Sequence, residues 1–378
     1  MRKVISQVIA FFHRTVVWIL LAATFISFGC REGGVPSVIS DSPRYKEGTY
    51  VTLEKLYRID VTDINLFTRR NDYRGCYDFD AANNLYLLDT FEGTITVFDE
   101  QGRFLRRFGR GGQGPNEFID ANFMIIKQNR LYIYQGFHEL KVLTLEGEFI
   151  KKHVVQLVQQ NPLVEKAVGD KFYLVGGKTD HTFTQLELIL GETDDKFSWK
   201  KEIWRYKYPE GLNGYPCWEW LFILDNGEFL FPENNHHEYS ITWFDRSGEP
   251  RLKFGRRYKQ QKYSLEARQR FLNQWAEAIK KGKMKVFDEP PVVRRMFQDE
   301  RGNIWVVVGE TFEDNLNPAF KNTVDIFNRK GEWLFSFKTE KVSKNIFYRR
   351  GKIYKVSPLE PDTYNLYIDV YKIKYLKN

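Results

Sequence analysis

Apolar and polar positions repeat along this chain in a unit too long for a helix and too regular for chance. The run Val97-Phe98-Asp99-Glu100-Gln101-Gly102-Arg103-Phe104-Leu105 returns as Trp243-Phe244-Asp245-Arg246-Ser247-Gly248-Glu249-Pro250-Arg251. It returns again as Ile326-Phe327-Asn328-Arg329-Lys330-Gly331-Glu332-Trp333-Leu334, and more weakly as Val142-Leu143-Thr144-Leu145-Glu146-Gly147-Glu148-Phe149-Ile150. Each copy predicts a β-hairpin. Asp or Asn bonds the backbone two residues on and starts a turn. Gly supplies the positive φ where the chain re-enters the second strand. The flanks Ile95 and Val97, then Phe104 and Arg106, read as half-buried strands.

A second element precedes each hairpin: a turn, then an aromatic-rich strand. Its copies are Asn84-Leu85-Tyr86-Leu87, Arg130-Leu131-Tyr132-Ile133, Lys171-Phe172-Tyr173-Leu174, Glu228-Phe229-Leu230-Phe231, Asn303-Ile304-Trp305-Val306 and Lys352-Ile353-Tyr354-Lys355. Two strand pairs per unit and six units predict an all-β fold, a six-bladed β-propeller in one ring. The last unit lacks its hairpin and offers only Asn365 to Lys374 as a further strand. A closed ring removes its open edges, so Tyr50 to Val61 is expected to supply the missing outer strand and close the propeller. The third unit, around Leu190-Gly191-Glu192-Thr193, is degenerate. One helix is expected as an insertion over about 264–283. Ser264 would cap it, Leu272, Trp275, Ala276 and Ile279 form its apolar stripe, and Gly282 ends it.

The first 29 residues belong to another category. Arg2 and Lys3 precede a charge-free stretch from Val16 to Phe28, too short for a comfortable membrane span. It ends in Ser27-Phe28-Gly29-Cys30, which resembles a bacterial lipoprotein signal. Gly29 fits that pattern and Ser27 departs from it. The resemblance implies a signal peptide over 1–29 and lipidation at Cys30; together with the repeats, that leaves a tether over 30–49 and a propeller domain over 50–378. It also implies export to the bacterial periplasm or outer membrane on a lipid anchor. The whole chain carries a formal charge of +8, and loss of Arg2, Lys3 and Arg14 leaves +5. The basic residues are scattered, which argues against nucleic acid as a partner. Besides Cys30 the cysteines are Cys76 and Cys217, which sequence alone can neither pair nor separate. No cysteine–histidine spacing suggests zinc.

The run Phe108-Gly109-Arg110-Gly111-Gly112-Gln113-Gly114-Pro115-Asn116-Glu117-Phe118 follows the first hairpin. It resembles the inter-blade segment of NHL-repeat propellers. With the lipoprotein-like start, the chain resembles the six-bladed propeller lipoproteins of the Bacteroidota type. That resemblance implies fold and export and no defined activity. The same run contains a Gly-x-Gly-x-x-Gly spacing, but β on both flanks is the wrong setting for a dinucleotide fingerprint.

His236-His237-Glu238 falls in a polar turn, and neighbouring strand residues point apart, so a shared ion is not indicated there. Propeller sites draw single residues from the lead-in strands of several blades. Counting upstream of the aromatic strands gives Asp78, Glu165, Glu219, Arg294 and Arg295 as candidate ligand-binding residues at the channel mouth, with Asp78 equivalent to Glu165 and Arg294 to Glu219. Trp218 and Trp220 would share one strand face as an aromatic platform, or wedge between blades. The expected function is a monomeric binding module for a glycan, a peptide or an envelope protein, without a cofactor. The rival is a metal-dependent hydrolase or lyase of the propeller kind, with Ca²⁺ as its conceivable cofactor and the same mouth residues at its centre.

Overall fold

In the computed structural model the hairpin signature is a fixed hydrogen-bond scheme. Asp99 Oδ1 accepts the Gln101 and Arg103 amides at 2.9 Å each. Asp245 repeats this with Ser247 and Glu249, and Asn328 with Lys330 and Glu332. The glycine three residues on has φ of 79° at Gly102 and 89° at Gly248. Its missing side chain also matters for packing. A Cβ on Gly102 would fall 2.7 Å from the Tyr57 ring, and one on Gly248 would fall 2.2 Å from the Ile203 carbonyl oxygen. Each hairpin tip is therefore pressed against a neighbouring blade. The degenerate third unit keeps the scheme with a different residue. Asp194 Oδ1 accepts from Lys196 and Ser198, and Phe197 takes the glycine's place at φ 57°. Phe197 is buried against Phe123 and Phe172, which compensates for its backbone conformation.

The structure describes residues 34–46, 48–64, 66, 75–136, 138–155, 160–179, 186–207, 221–233, 235, 237–259, 262–274, 276–281, 288–309, 321–357 and 365–376. From Ser37 onward they belong to one compact unit. The described strands form six sheets, each built on four antiparallel strands; the first and fourth add a short parallel strand at the outer edge, and all but the sixth take their four in sequential order. The first blade comprises Tyr77–Phe79, Leu85–Asp89, Thr94–Phe98 and Phe104–Gly111. The second comprises Ala121–Lys127, Arg130–Gln135, Glu139–Thr144 and Phe149–Val154. The third comprises Gln160–Val168, Lys171–Thr179, Leu186–Thr193 and Trp199–Lys207. The fourth comprises Phe222–Ile223, Phe229–Phe231, Ser240–Phe244 and Pro250–Arg256. The fifth comprises Val293–Gln298, Ile304–Val308, Asn322–Phe327 and Trp333–Thr339. The sixth takes Ile346–Arg349, Lys352–Val356 and Tyr367–Tyr375 from the end of the chain and Val51–Asp60 from its start.

Apolar clusters join each blade to the next. Tyr86 and Val97 of the first meet Met124 and Ile133 of the second. The series continues until Tyr354, Ile368 and Ile59 of the sixth meet Phe79 and Leu85 of the first. The ring is a closed six-bladed propeller, as the repeats predict. Val51–Asp60 pairs antiparallel with Tyr367–Tyr375, with Val51 opposite Tyr375 and Asp60 opposite Tyr367, and it is the outer strand that the last unit lacks.

The expected alternation holds poorly in the middle strands. All of Leu85–Asp89 and Ile304–Val308 are buried, because both sheet faces are covered by neighbouring blades. Phe104, expected on a half-buried strand, is 61% exposed on the outer rim.

The chain start does more than close the ring. Ser37–Ser40, within the stretch expected as a tether, pairs parallel with Lys253–Arg256 on the outer edge of the fourth blade. Arg44 and Tyr45 then donate to the Trp333 and Leu334 carbonyls of the fifth, at 3.0 and 2.8 Å. The segment thus runs along two rims before joining the sixth blade. The expected insertion is two helices, Leu265–Gln274 and Ala276–Lys280, and Trp275 lies outside the described residues. Backbone bonding from Arg268 N to Ser264 O opens the first helix, and Arg268 reaches Asp288 at 2.7 Å. Among the described residues no helix is long and apolar enough to cross a membrane.

Candidate binding channel

The innermost strand of every blade contributes to one cavity of about 630 Å³. Tyr77, Asp78 and Phe79 come from the first blade, Met124 and Ile126 from the second, and Lys166 and Ala167 from the third. Leu221 to Asp225 come from the fourth, Arg295 and Phe297 from the fifth, and Tyr348, Arg349 and Arg350 from the sixth and the turn after it. A second cavity of about 460 Å³ shares Asp225, Gln298, Asp299 and Glu300 with it. Trp243, Arg251 and Arg329, at the boundary of the fourth and fifth blades, also line it.

Asp78 lies where the sequence places it, on the channel wall. Its Oδ1 accepts the Phe79 amide at 2.8 Å and its Oδ2 the Ile126 amide at 2.6 Å. The surrounding protein pushes its carboxyl up to about 6 by withholding solvent. The two amides, Arg349 and Lys166 pull in the opposite direction without prevailing.

Glu165 is not the counterpart of Asp78. Asp78 pairs with Tyr86, and the residue paired with Tyr173 is Lys166. A β-bulge between Val164 and Lys166 skips Glu165 and moves every residue count by one. The Glu165 side chain itself lies outside the described residues. The same device separates the two candidate arginines. The register of the fifth blade jumps from Val293 to Arg295, skipping Arg294. Arg295 lines the cavity, and Arg294 is not among its lining residues. Arg294 is therefore corrected from a channel residue to a bulge residue. Glu219, Trp218 and Trp220 lie outside the described residues, as do Cys217, His236 and the expected lipidation site Cys30. Cys76 is buried at the start of the first blade.

Sequence reasoning missed Lys166, Arg349 and Asp225. Lys166 Nζ forms an ion pair with Asp225 Oδ1 and donates to the Ile223 carbonyl at 3.2 Å, tying the third blade to the fourth. Arg349 follows the last aromatic hairpin backwards by three residues, a position the lead-in count did not reach. Arg295 Nη2 donates to Tyr77 Oη at 3.3 Å, and the Tyr77 ring stacks on Phe347 at 3.9 Å. Phe297 and Tyr348 stack at 5.0 Å on the same lining. Asp299 serves its own turn. Oδ1 takes the Arg301 and Asn303 amides, and Oδ2 takes Trp305 Nε1 at 2.7 Å.

The Gly-rich run after the first blade is closed by its own side chains. Glu117 accepts the Gly114 amide at 2.8 Å and pairs with Arg110. Buried Lys141 donates to the Gly114 and Glu117 carbonyls at 2.7 and 2.6 Å. No helix follows, so the dinucleotide spacing is a structural crossing between blades. Among the described residues no three His, Cys, Asp or Glu side chains are grouped to hold a metal ion.

Comparison with known proteins agrees with this architecture. Residues 59–209 match the model of a family, DUF5128, described as a 6-bladed beta-propeller. No curated protein matches the chain. Among solved structures it is similar to a member of the DUF4221 family from Bacteroides vulgatus. Identity is 13%, with 87% of this chain and 100% of that one covered and a TM-score of 0.52. It is also similar to a Bacteroides fragilis protein inferred to be exported. Identity there is 10%, with 91% and 100% covered and a TM-score of 0.50. At these identities the likeness concerns the fold.

Proposed function

We propose that this propeller is an exported, lipid-anchored binding module of the bacterial envelope, related to NHL-repeat propellers, whose ligand sits in the channel cavity. One observation carries the reading: six separate blades each give residues to a single cavity of about 630 Å³. That volume is in the range of small-molecule sites, and its mixture of aromatic rings and a few charged groups suits recognition. A rigid ring supplies a preformed site at little ordering cost. The stretch ahead of Ser27-Phe28-Gly29-Cys30 supports export, as does the inferred export of the Bacteroides fragilis protein of similar fold. With Ser37–Ser40 held on the fourth blade, only residues 31–36 would lie between a lipidated Cys30 and the ring.

The test is a thermal-shift screen of saccharides and short peptides against the wild-type protein and Ala167→Phe, which adds a ring at a lining position of the cavity, with circular dichroism checking that the variant keeps its fold. A channel ligand raises the melting temperature of the wild type and not of the variant. A ligand that stabilises both equally contradicts the channel as the site. Conversion of a bound compound into new products, read by mass spectrometry, would replace the binding reading with the enzymatic one.

A further inference from the structure

A guanidinium carries five N–H donors and no acceptor, and in a confined space each donor needs a partner. Several arginines of this molecule find carboxylates: Arg58, Arg103, Arg251 and Arg256 each reach one within 2.7 Å, whereas Arg106 and Arg107 bond hydroxyl and carbonyl oxygens. Among the described residues Arg295 and Arg349, two of the three arginines that line the channel cavity, do not find a carboxylate. Among the described residues Arg349 makes no ion pair, and its Nε is shut off from solvent without an acceptor. Its Cζ lies 5.9 Å from the centre of the Phe79 ring. The field of Arg349 reaches both Asp78 and Asp225, but each carboxylate is committed elsewhere. Asp78 holds two backbone amides and Asp225 holds Lys166. Arg295, from the neighbouring blade, donates to the Tyr77 hydroxyl and makes no ion pair among the described residues.

The geometry points to an oxyanion site: Arg295 and Arg349 together take the carboxylate of a small organic acid, whose carbon skeleton lies against the Tyr77, Phe297 and Tyr348 rings. A carboxylate supplies paired acceptors that suit a guanidinium fork. Aromatic faces beside it accommodate the ring of a sugar acid or a similar molecule. The cavity has room for one or two such rings. The assignment rests on the channel reading above and names its ligand class.

Isothermal titration calorimetry on the full-length protein tests it with three probes: glucuronate, glucose as its uncharged counterpart, and inorganic sulfate. Glucuronate is expected to bind at one site at least about tenfold more tightly than glucose, a difference of about 1.4 kcal/mol. Arg295→Gln and Arg349→Gln should each weaken it by about tenfold or more while keeping wild-type circular dichroism and melting. Arg103→Gln, at an exposed hairpin tip, should leave it unchanged. Equal binding of glucuronate and glucose overturns the assignment, as does binding that ignores both arginine changes. Sulfate binding as tightly as glucuronate overturns the organic-acid part. If a neutral compound binds and Ala167→Phe abolishes it, the binding module stands and the oxyanion site falls.

Discussion

Asp78 Oδ2 accepts the Ile126 amide at 2.6 Å and thereby links the innermost strands of the first two blades. The burial of Asp78, which outweighs this bond, has a pH signature. In the unfolded chain the Asp78 carboxyl returns to its ordinary value near 3.8, whereas the fold raises it to about 6. The folded state therefore binds more protons between these values, and stability from this group falls as pH rises through the window. The rise corresponds to at most about 3 kcal/mol. Lys166 and Arg349 face the group from the third and sixth blades and moderate the effect. His153, pushed down by burial, works in the opposite sense. Comparison with Asp78→Asn isolates the contribution. Between pH 4.5 and 7 the wild type should lose stability relative to the variant in urea melts. Parallel pH profiles would contradict this.

Arg256 and Asp325 join the fourth and fifth blades at 2.7 Å, with Asp325 fully buried. The guanidinium lies among the Tyr239, Tyr258 and Trp333 rings, 4.8 to 5.2 Å from their centres. Asp325→Ala leaves this cation buried without its partner and should cost about 3–5 kcal/mol. Replacing both residues, as Arg256→Met with Asp325→Leu, should recover most of it. Urea denaturation of the two variants checks the order.

Hairpin glycines should divide by what their missing side chain would meet. Gly248→Ala places a methyl group 2.2 Å from the Ile203 carbonyl oxygen, at φ 89°. Backbone strain and blade displacement together should cost about 2–4 kcal/mol. Gly136→Ala has φ 57° and open space around it, so strain alone applies, about 1 kcal/mol. Equal losses in thermal unfolding would deny the blade contact.

Removal of residues up to Asp60 deprives Tyr367–Tyr375 of its partner and exposes Tyr371 and Ile373. Such a chain should aggregate or melt without cooperativity. Removal only through Ser40 strips the fourth-blade rim and should lower the melting temperature by a few degrees, keeping a single transition.

Those contrasts show what the sequence makes visible. Asp99, Asp245 and Asn328 announce their turns because the backbone scheme needs a side-chain acceptor at that point. Val51–Asp60 is legible because a ring needs a partner for its last edge. Phe197 hides the third hairpin, since core packing replaces the glycine's freedom. Bulges are silent in a sequence, so counting upstream selects Glu165 where the structure turns Lys166 to the channel, and names Arg294 beside Arg295 where Arg295 is the one that lines it. Ser37–Ser40 is too short for any alternation to reveal it.

The central claim, a channel that receives a ligand between Arg295 and Arg349, is tested most directly by arginine labelling. Phenylglyoxal modification of the full-length protein, quantified by peptide mass spectrometry with and without saturating glucuronate, reads each side chain separately. Protection of Arg295 and Arg349, with exposed Arg103 labelled as before, is the predicted outcome. Unchanged labelling of both channel arginines under saturation would contradict the account.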